Sequence, residues 1–346
     1  LNTESVLEIR DLTVAFRIKD EYYPAVDQLN LTINKNEVLA IVGESGCGKS
    51  ALALSLTRLH DSKNTRIEGE LLFKGQDLNK LSPGQMNKIR GSEIGMIFQD
   101  PLTALNPLMT IGKQIEENLD YHTPLSRKEK TKRVIELLEN VNIVDPTRVY
   151  AQYPHELSGG MRQRIMIAIA IACRPSLIIA DEPTTALDVT IQSQILDLLK
   201  QLQAENDAGI VLITHDLGVV AEMADRVVVM YAGEIVEIAD VNELFNNPKH
   251  PYTRSLLASM PGANVGQESL HVIDGRVPSL QNIPRGSCRF SERIPWIPQT
   301  AHAEHPELNE VAPKHWVRCT CYQNFHFEDE VEDGKEIVLN GIAGTQ

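Results

Sequence analysis

The stretch GESGCGKS at residues 43–50 constrains this chain more than any other. It follows EVLAIVG (37–43), a near-continuous apolar run ending in glycine, as a strand buried in a parallel sheet would be. The spacing Gly43-x4-Gly48-Lys49-Ser50, ahead of a helix predicted from Ser50 to about Leu59, matches a phosphate-binding loop. Its glycines let backbone N–H groups from Gly43, Glu44, Ser45, Gly46, Cys47 and Gly48 wrap phosphate oxygens, with Ala51 just inside the helix. Lys49 would reach the β- and γ-phosphates, and the Ser50 hydroxyl would ligand Mg²⁺. A plain glycine-rich turn is the competing reading; the strand before it and the helix after it weigh against that.

A second apolar run, SLIIADE (176–182), ends in two carboxylates. Beside a phosphate loop, Asp181 is placed for the Mg²⁺ shell and Glu182 to polarise an attacking water. The bland alternative is an acidic strand end that caps a helix.

The rest of the pattern alternates. VLEIRDLTVAFRI (6–18) and LNLTIN (29–34) read as paired strands, and EIGMIFQ (93–99), GIVLITH (209–215) and RVVVMYAGEIVEIA (226–239) as further strands. SRKEKTKRVIELLENV and TIQSQILDLLKQLQAEN read as helices, the first capped and amphipathic, and residues 100–175 are mostly helical in pattern. Strands alternating with helices around a helical insert imply an α/β sheet. Past about Met260, Pro, Gly and polar residues increase and periodicity fades, so a boundary is expected there; EDEVEDGKE (328–336) reads as solvated.

LSGGMRQR (157–164) raises a separate question. A serine, two glycines and a basic stretch opening an apolar helix have the make-up of an anion site at a helix start. One phosphate loop already serves one nucleotide, so a second site suggests a second nucleotide; a glycine-rich helix cap is the bland alternative.

These motifs, in this order, resemble the nucleotide-binding subunits of ABC transporters over residues 6 to about 260. The resemblance implies an α/β P-loop NTPase of ABC type. It would have a RecA-like core, an N-terminal antiparallel β subdomain and a helical subdomain (about 101–175) within 1–260, and a C-terminal extension over 261–346. It makes Gln99 of IFQDP the Q-loop residue that touches Mg²⁺, Ala186-Leu187-Asp188 the D-loop, and His215 of LITHD the switch histidine on the γ-phosphate. Phe16 is the candidate that stacks on adenine, with Tyr22 and Tyr23 as rivals. Two such subunits pack head to tail in the family, so Leu157, Ser158, Gly159, Gly160 and Asp188 would meet the partner's ATP.

QDPLTALNPLMTIG (99–112), PHELSGGMRQR (154–164), DEPTTALDVTIQ (181–192) and NPKHPYTRSLL (247–257) resemble the peptide/nickel import branch, and within it the D-type ATPases of oligopeptide permeases. That implies ATP and Mg²⁺ as cofactors and a second related ATPase subunit in a heterodimer. It also implies two membrane permease subunits, an extracellular peptide-binding protein, and a peripheral place on the cytoplasmic face of the membrane. Gln99 to about Gly112 and Tyr153 to Glu156 would form the groove for the membrane subunits. Dipeptide or nickel uptake is the nearest alternative. A soluble ABC mechanoenzyme is disfavoured by the single ATPase half and the missing coiled coil. A regulatory subunit with a dead site is disfavoured by intact Gln99, Glu182 and His215.

Relatives often end in four cysteines that can hold an iron–sulfur cluster. Here GSCRFSERIPWIPQTAHAEHPEL and HWVRC keep the frame, but only Cys288 and Cys319 stand at ligand positions; Ile294 and Ala301 occupy the other two. No cluster is expected. Zinc held by Cys288, Cys319, Cys321 and one of His302, His305 or His315 is the alternative, and buried free thiols are favoured over it. VPSLQNIPRG (277–286) also resembles the branch's tail, with no evident physical role.

Bulk properties agree. A net charge of −14 disfavours non-specific nucleic-acid binding, so no nucleic-acid partner is expected. No apolar run approaches the roughly 20 residues needed to span a bilayer. Five scattered cysteines do not form a disulfide framework and suit a reducing compartment, and no secretory leader is legible from Leu1 onward.

Overall fold

The computed structural model describes residues 5–185, 187–260 and 273–328. Ala186 of the D-loop triplet and most of the acidic segment 328–336 lie outside the described residues.

The chain opens with β1 (Ser5–Ile18) and β2 (Glu21–Asn34), followed by β3 (Val38–Val42), α1 (Lys49–Leu56), β4 (Thr65–Phe73) and β5 (Gln76–Asp77). Then come α2 (Pro83–Ile89), β6 (Ile94–Ile97), α3 (Pro101–Ala104), α4 (Ile111–His122), α5 (Arg127–Asn140), α6 (Pro146–Tyr150), α7 (Gly159–Ile171) and β7 (Leu177–Asp181). The remainder is α8 (Val189–Asn206), β8 (Gly209–Ile213), α9 (Leu217–Met223), β9 (Arg226–Tyr231), β10 (Glu234–Asp240), α10 (Val241–Asn246), α11 (Pro251–Ala258), β11 (Asn309–Ala312) and β12 (His315–Val317).

Two sheets organise these elements. The antiparallel sheet runs β2-β1-β4-β5, and the larger sheet runs β11-β12-β10-β9-β3-β8-β7-β6. Within the larger sheet, β9, β3, β8, β7 and β6 are parallel neighbours, and β10, β12 and β11 extend it antiparallel. Burial explains the sequence pattern: every residue of β3, β7 and β8 is buried, so their runs are apolar throughout rather than alternating. One apolar cluster joins the antiparallel sheet to one face of the large sheet, and a second joins the other face to α4, α5, α7 and α8.

Two expectations change in detail. The stretch 226–239 is a hairpin rather than one strand, turning at Ala232 (φ 46°) and Gly233 (φ 88°). The second N-terminal strand starts at Glu21, eight residues before the apolar LNLTIN that was legible. The amphipathic helix α5 is as expected: Ser126 and Glu129 form a reciprocal capping box at its start.

The described residues after Met260, 273–328, are joined to the sheet. His315–Val317 pairs with β10 through Glu237↔Val317 and Ile238↔Trp316. Phe290, Ile294 and Val317 pack with Tyr231 and Tyr252 in a third apolar cluster. His315 is buried and meets Glu237 at 2.7 Å and Glu243 at 3.3 Å, so it is engaged away from the thiols.

Candidate nucleotide site

The phosphate loop joins β3 to α1 as its glycines require. Gly48, at φ 107°, caps α1, and a Cβ there would lie 2.4 Å from the Ala25 carbonyl of β2. A Cβ at Gly43 would lie 2.3 Å from the Met230 carbonyl. The loop is therefore wedged between β2 and β9 and only glycine fits. Gly233 N–H, in the β9–β10 turn, donates to the Cys47 carbonyl at 2.9 Å and fixes the loop from below. Cys47 is fully buried, and burial pushes its thiol up despite the nearby Lys49.

Lys49 is almost entirely buried, and its Nζ donates to the carbonyls of Gly43 (2.7 Å) and Glu44 (3.0 Å). That ammonium is the cation of a cleft of about 530 Å³. Ser45, Gly46, Gly48, Ser50 and Ala51 of the loop and α1 line it, together with Gln99 and Glu182. Phe16 lines it as well, whereas Tyr22 and Tyr23 are not among the lining residues. Tyr22 instead carries the Arg66 guanidinium 4.4 Å from its ring centre, and Tyr23 donates to Glu21.

The C-terminal ends of β6, β7 and β8 bring two distant residues, Gln99 and His215, and the nearby Thr185 onto one carboxylate. Glu182 follows β7 with a left-handed backbone (φ 49°), its N–H donating to the Ile213 carbonyl at 2.8 Å. This uncommon conformation turns its side chain out of the strand direction. Gln99 Nε2 donates to Glu182 Oε2 at 2.9 Å, and the Thr185 hydroxyl donates to the same oxygen at 2.8 Å. His215 Nδ1 sits 3.2 Å from Oε1. Asp181 lies one residue earlier. Burial pushes its carboxyl above the ordinary aspartate range, Ser50 and Lys49 oppose this, and Glu182 reinforces it. Its Oδ1 is buried without a hydrogen-bond partner. A hard, acceptor-only oxygen left unpaired beside a serine hydroxyl suits a divalent cation such as Mg²⁺.

Other expected residues lie apart from this cleft. Ser158 caps α7, its hydroxyl accepting from Met161 N–H at 3.3 Å, and it is exposed with Gly159; Leu157 is buried below them. A Cβ on Gly159 would meet none of the described residues within 4 Å, whereas one on Gly160 would crowd Ile191 at 3.1 Å. Of the polar residues that follow, Arg162 is half-buried and the next two turn inward. Gln163 and Arg164 are buried, donating to the Pro183 carbonyl (2.6 Å) and to the Val141 carbonyl (2.8 Å). They tie α7 to the loop after Glu182 and to the end of α5. Asp188 caps α8 through Ile191 N–H at 3.0 Å.

Matches to known proteins follow this geometry. The family model for ABC transporters matches residues 26–185, and that for the oligopeptide/dipeptide transporter C-terminal region matches 236–296. The oligopeptide transport ATP-binding protein OppD of Lactococcus lactis subsp. cremoris is 51% identical over 338 residues, 97% of this chain and 100% of that protein. The chain belongs to the ABC transporter ATP-binding family. A putative peptide import ATP-binding protein of Brucella ovis is 48% identical, covering 93% of this chain and 99% of its own length. Among solved structures, the post-hydrolysis dimer of the ABC cassette MJ0796 bound to ADP and phosphate aligns with TM-score 0.62 at 31% identity, over 68% of this chain and 98% of that one. As an ABC ATPase, the chain binds and hydrolyses ATP. No helix among its described residues is long and apolar enough to cross a membrane.

The sequence did not point to every ABC cleft residue. His60 lines the cleft beside Phe16, ring centres 5.4 Å apart and nearly perpendicular. Its Nε2 is held by the Ala51 carbonyl at 2.8 Å, and burial lowers its pKa. Leu280, from the far side of the chain, completes the wall. No spacing rule marks either residue; only the folded chain joins them.

Proposed function

We propose that this chain is the ATP-hydrolysing subunit of an oligopeptide importer that acts through separate membrane subunits. The convergence of Gln99, Thr185 and His215 on Glu182, which lines the Lys49 cleft with Gln99, supports the hydrolytic part of this reading, and the 51% identity to an oligopeptide transport ATP-binding protein supports the cargo. Residues 1–260 form the nucleotide-binding domain, with 101–175 as its helical subdomain, and 261–346 the C-terminal extension. Phe16 takes the base, and residues Gly43 to Ala51 take the phosphates, with Lys49 passing from its own loop carbonyls to the γ-phosphate. Ser50, Asp181 and Gln99 would hold Mg²⁺, which, when bound, neutralises charge on the phosphate oxygens. Glu182 accepts the proton of the attacking water, and His215 and Gln99 hold that carboxylate and the γ-phosphate in line.

The subunit works as a head-to-tail heterodimer with a related ATPase. Leu157, Ser158, Gly159, Gly160 and Asp188 then close on the partner's ATP. The open space at Gly159 supports this, because none of the described residues of its own chain requires a glycine there. ATP binds the closed dimer in preference to the open one, and hydrolysis removes that preference. The exposed apolar residues Leu102, Leu108 and Tyr153, on the segments 99–112 and 153–156, support docking of two permease subunits. On this reading the chain sits on the cytoplasmic face of the membrane, with peptides delivered by an extracellular binding protein and no nucleic acid involved. Cys288 and Cys319 remain free thiols with no iron–sulfur cluster.

Ser158→Arg tests the shared site. Transport and the ATPase of the assembled complex are expected to be lost, while ATP binding at this chain's own loop persists. Loss of that binding overturns the trans role.

A further inference from the structure

The stretch VPSLQNIPRG and the residues around it contact the nucleotide site from outside the ATPase core. Arg293 is buried and grips Glu44, the second residue of the phosphate loop, with Nη1 at 2.6 Å from Oε2 and Nη2 at 3.3 Å from Oε1. Two further N–H groups of the same guanidinium hold the carbonyls of Asp274 (2.7 Å) and Ile273 (3.1 Å). The backbone of Glu44 is held too: its N–H donates to the hydroxyl of Tyr252, on α11, at 2.7 Å. A bidentate arginine fixes a carboxylate in both distance and plane.

The same segment fixes β2. Arg285 donates to the Asp27 carboxylate (2.9 Å) and to the Pro24 carbonyl (3.0 Å), and Arg289 donates to Asp27 and to the Ala232 carbonyl (2.6 Å). Between Pro24 and Asp27 lies Ala25, whose carbonyl sits where a Cβ on Gly48 would be. Ala25 and Leu280 both line the cleft with Phe16. One segment thus touches the phosphate loop, the strand that abuts it, and the apolar wall.

We infer that residues 273–293 form a clamp in cis on the nucleotide site, in which Leu280 supplies apolar wall for the bound ATP and Arg293 positions the phosphate loop through Glu44. The inference rests on the reading of this cleft as the ATP site. Leu280 contacts the substrate. Arg293 is a positioning residue, acting only through Glu44. The clamp makes ATP affinity depend on a segment outside the family model matched over residues 26–185.

The test uses the full chain, with trinitrophenyl-ATP binding to the purified protein and ATPase kinetics of the assembled complex. Leu280→Ser, at a half-buried position, should raise KM for ATP about threefold with kcat unchanged and the melting temperature preserved. Arg293→Gln should raise KM about fivefold or more, and Arg293→Lys should restore part of it. An unchanged KM in Leu280→Ser overturns the inference, whether or not Arg293→Gln folds. So does an Arg293→Gln protein that loses only thermal stability. A wild-type chain that fails to bind the probe overturns the ATP-site reading itself, whereas wild-type binding matched by both variants overturns only the clamp.

Discussion

Gln99 and Glu182, 83 residues apart in sequence, share a hydrogen bond of 2.9 Å. The bond ties the segment after β6 to the carboxylate after β7, so a movement of the segment that begins at exposed Gln99 reaches Glu182 through one side chain. Glu182→Gln keeps an oxygen for Gln99 and Thr185 but cannot accept a proton. The steady-state ATPase rate is expected to fall about 10²- to 10⁴-fold with ATP binding retained. A fall of less than about tenfold would remove Glu182 from the role of general base.

His315 and Glu237 form a buried pair that pins β12 to β10. Burial alone would lower the His315 pKa, but Glu237 and Glu243 outweigh it and hold it above the ordinary value of 6.5. A raised folded-state pKa means the contribution is complete below the unfolded value and is lost as pH rises through the folded value. His315→Gln is expected to cost about 3 kcal/mol near pH 6, with the gap to wild type shrinking by about pH 9. Urea unfolding midpoints at the two pH values measure this; a gap independent of pH would assign the pair a purely steric role.

The thiols lead to a third expectation. Cys319 and Cys321 Sγ lie 3.3 Å apart, the nearby Cys288 is buried with its pKa pushed up to about 11, and buried Ile294 stands at one ligand position. Among the described residues, no three His, Cys, Asp or Glu side chains are gathered as a metal would need. Elemental analysis of the purified protein should find well below one Fe or Zn per chain, and chelator should leave its melting temperature unchanged. A stoichiometric metal would show that the two remaining frame cysteines still recruit one.

What could be read from the sequence follows how local each requirement is. The phosphate loop was legible because three glycines, a lysine and a serine must be adjacent to do their work. Asp181 and Glu182 were legible because they end an apolar run. The β9–β10 turn was not, since Ala232-Gly233 interrupts apolar residues that look the same on either side. β11 and β12 were missed because they are four and three residues long, too short for a period to register. His60 and Leu280 carry no local signature. Leu280 reaches the cleft on a segment that Arg285 and Arg289 hold against β2. Residue type likewise does not reveal that Gln163 and Arg164 of LSGGMRQR are buried while Arg162 between them and Met161 is only half-buried.

The central place of β3, between β8 and β9, has a consequence for synthesis. The phosphate loop hangs from the end of this strand, yet both of its sheet neighbours come from residues 209–231. At about 5–20 residues per second, roughly 10–40 s pass between emergence of the loop and completion of the strands that hold it. Through that interval an apolar strand is without its neighbours, and the nascent chain is most exposed to misassociation there.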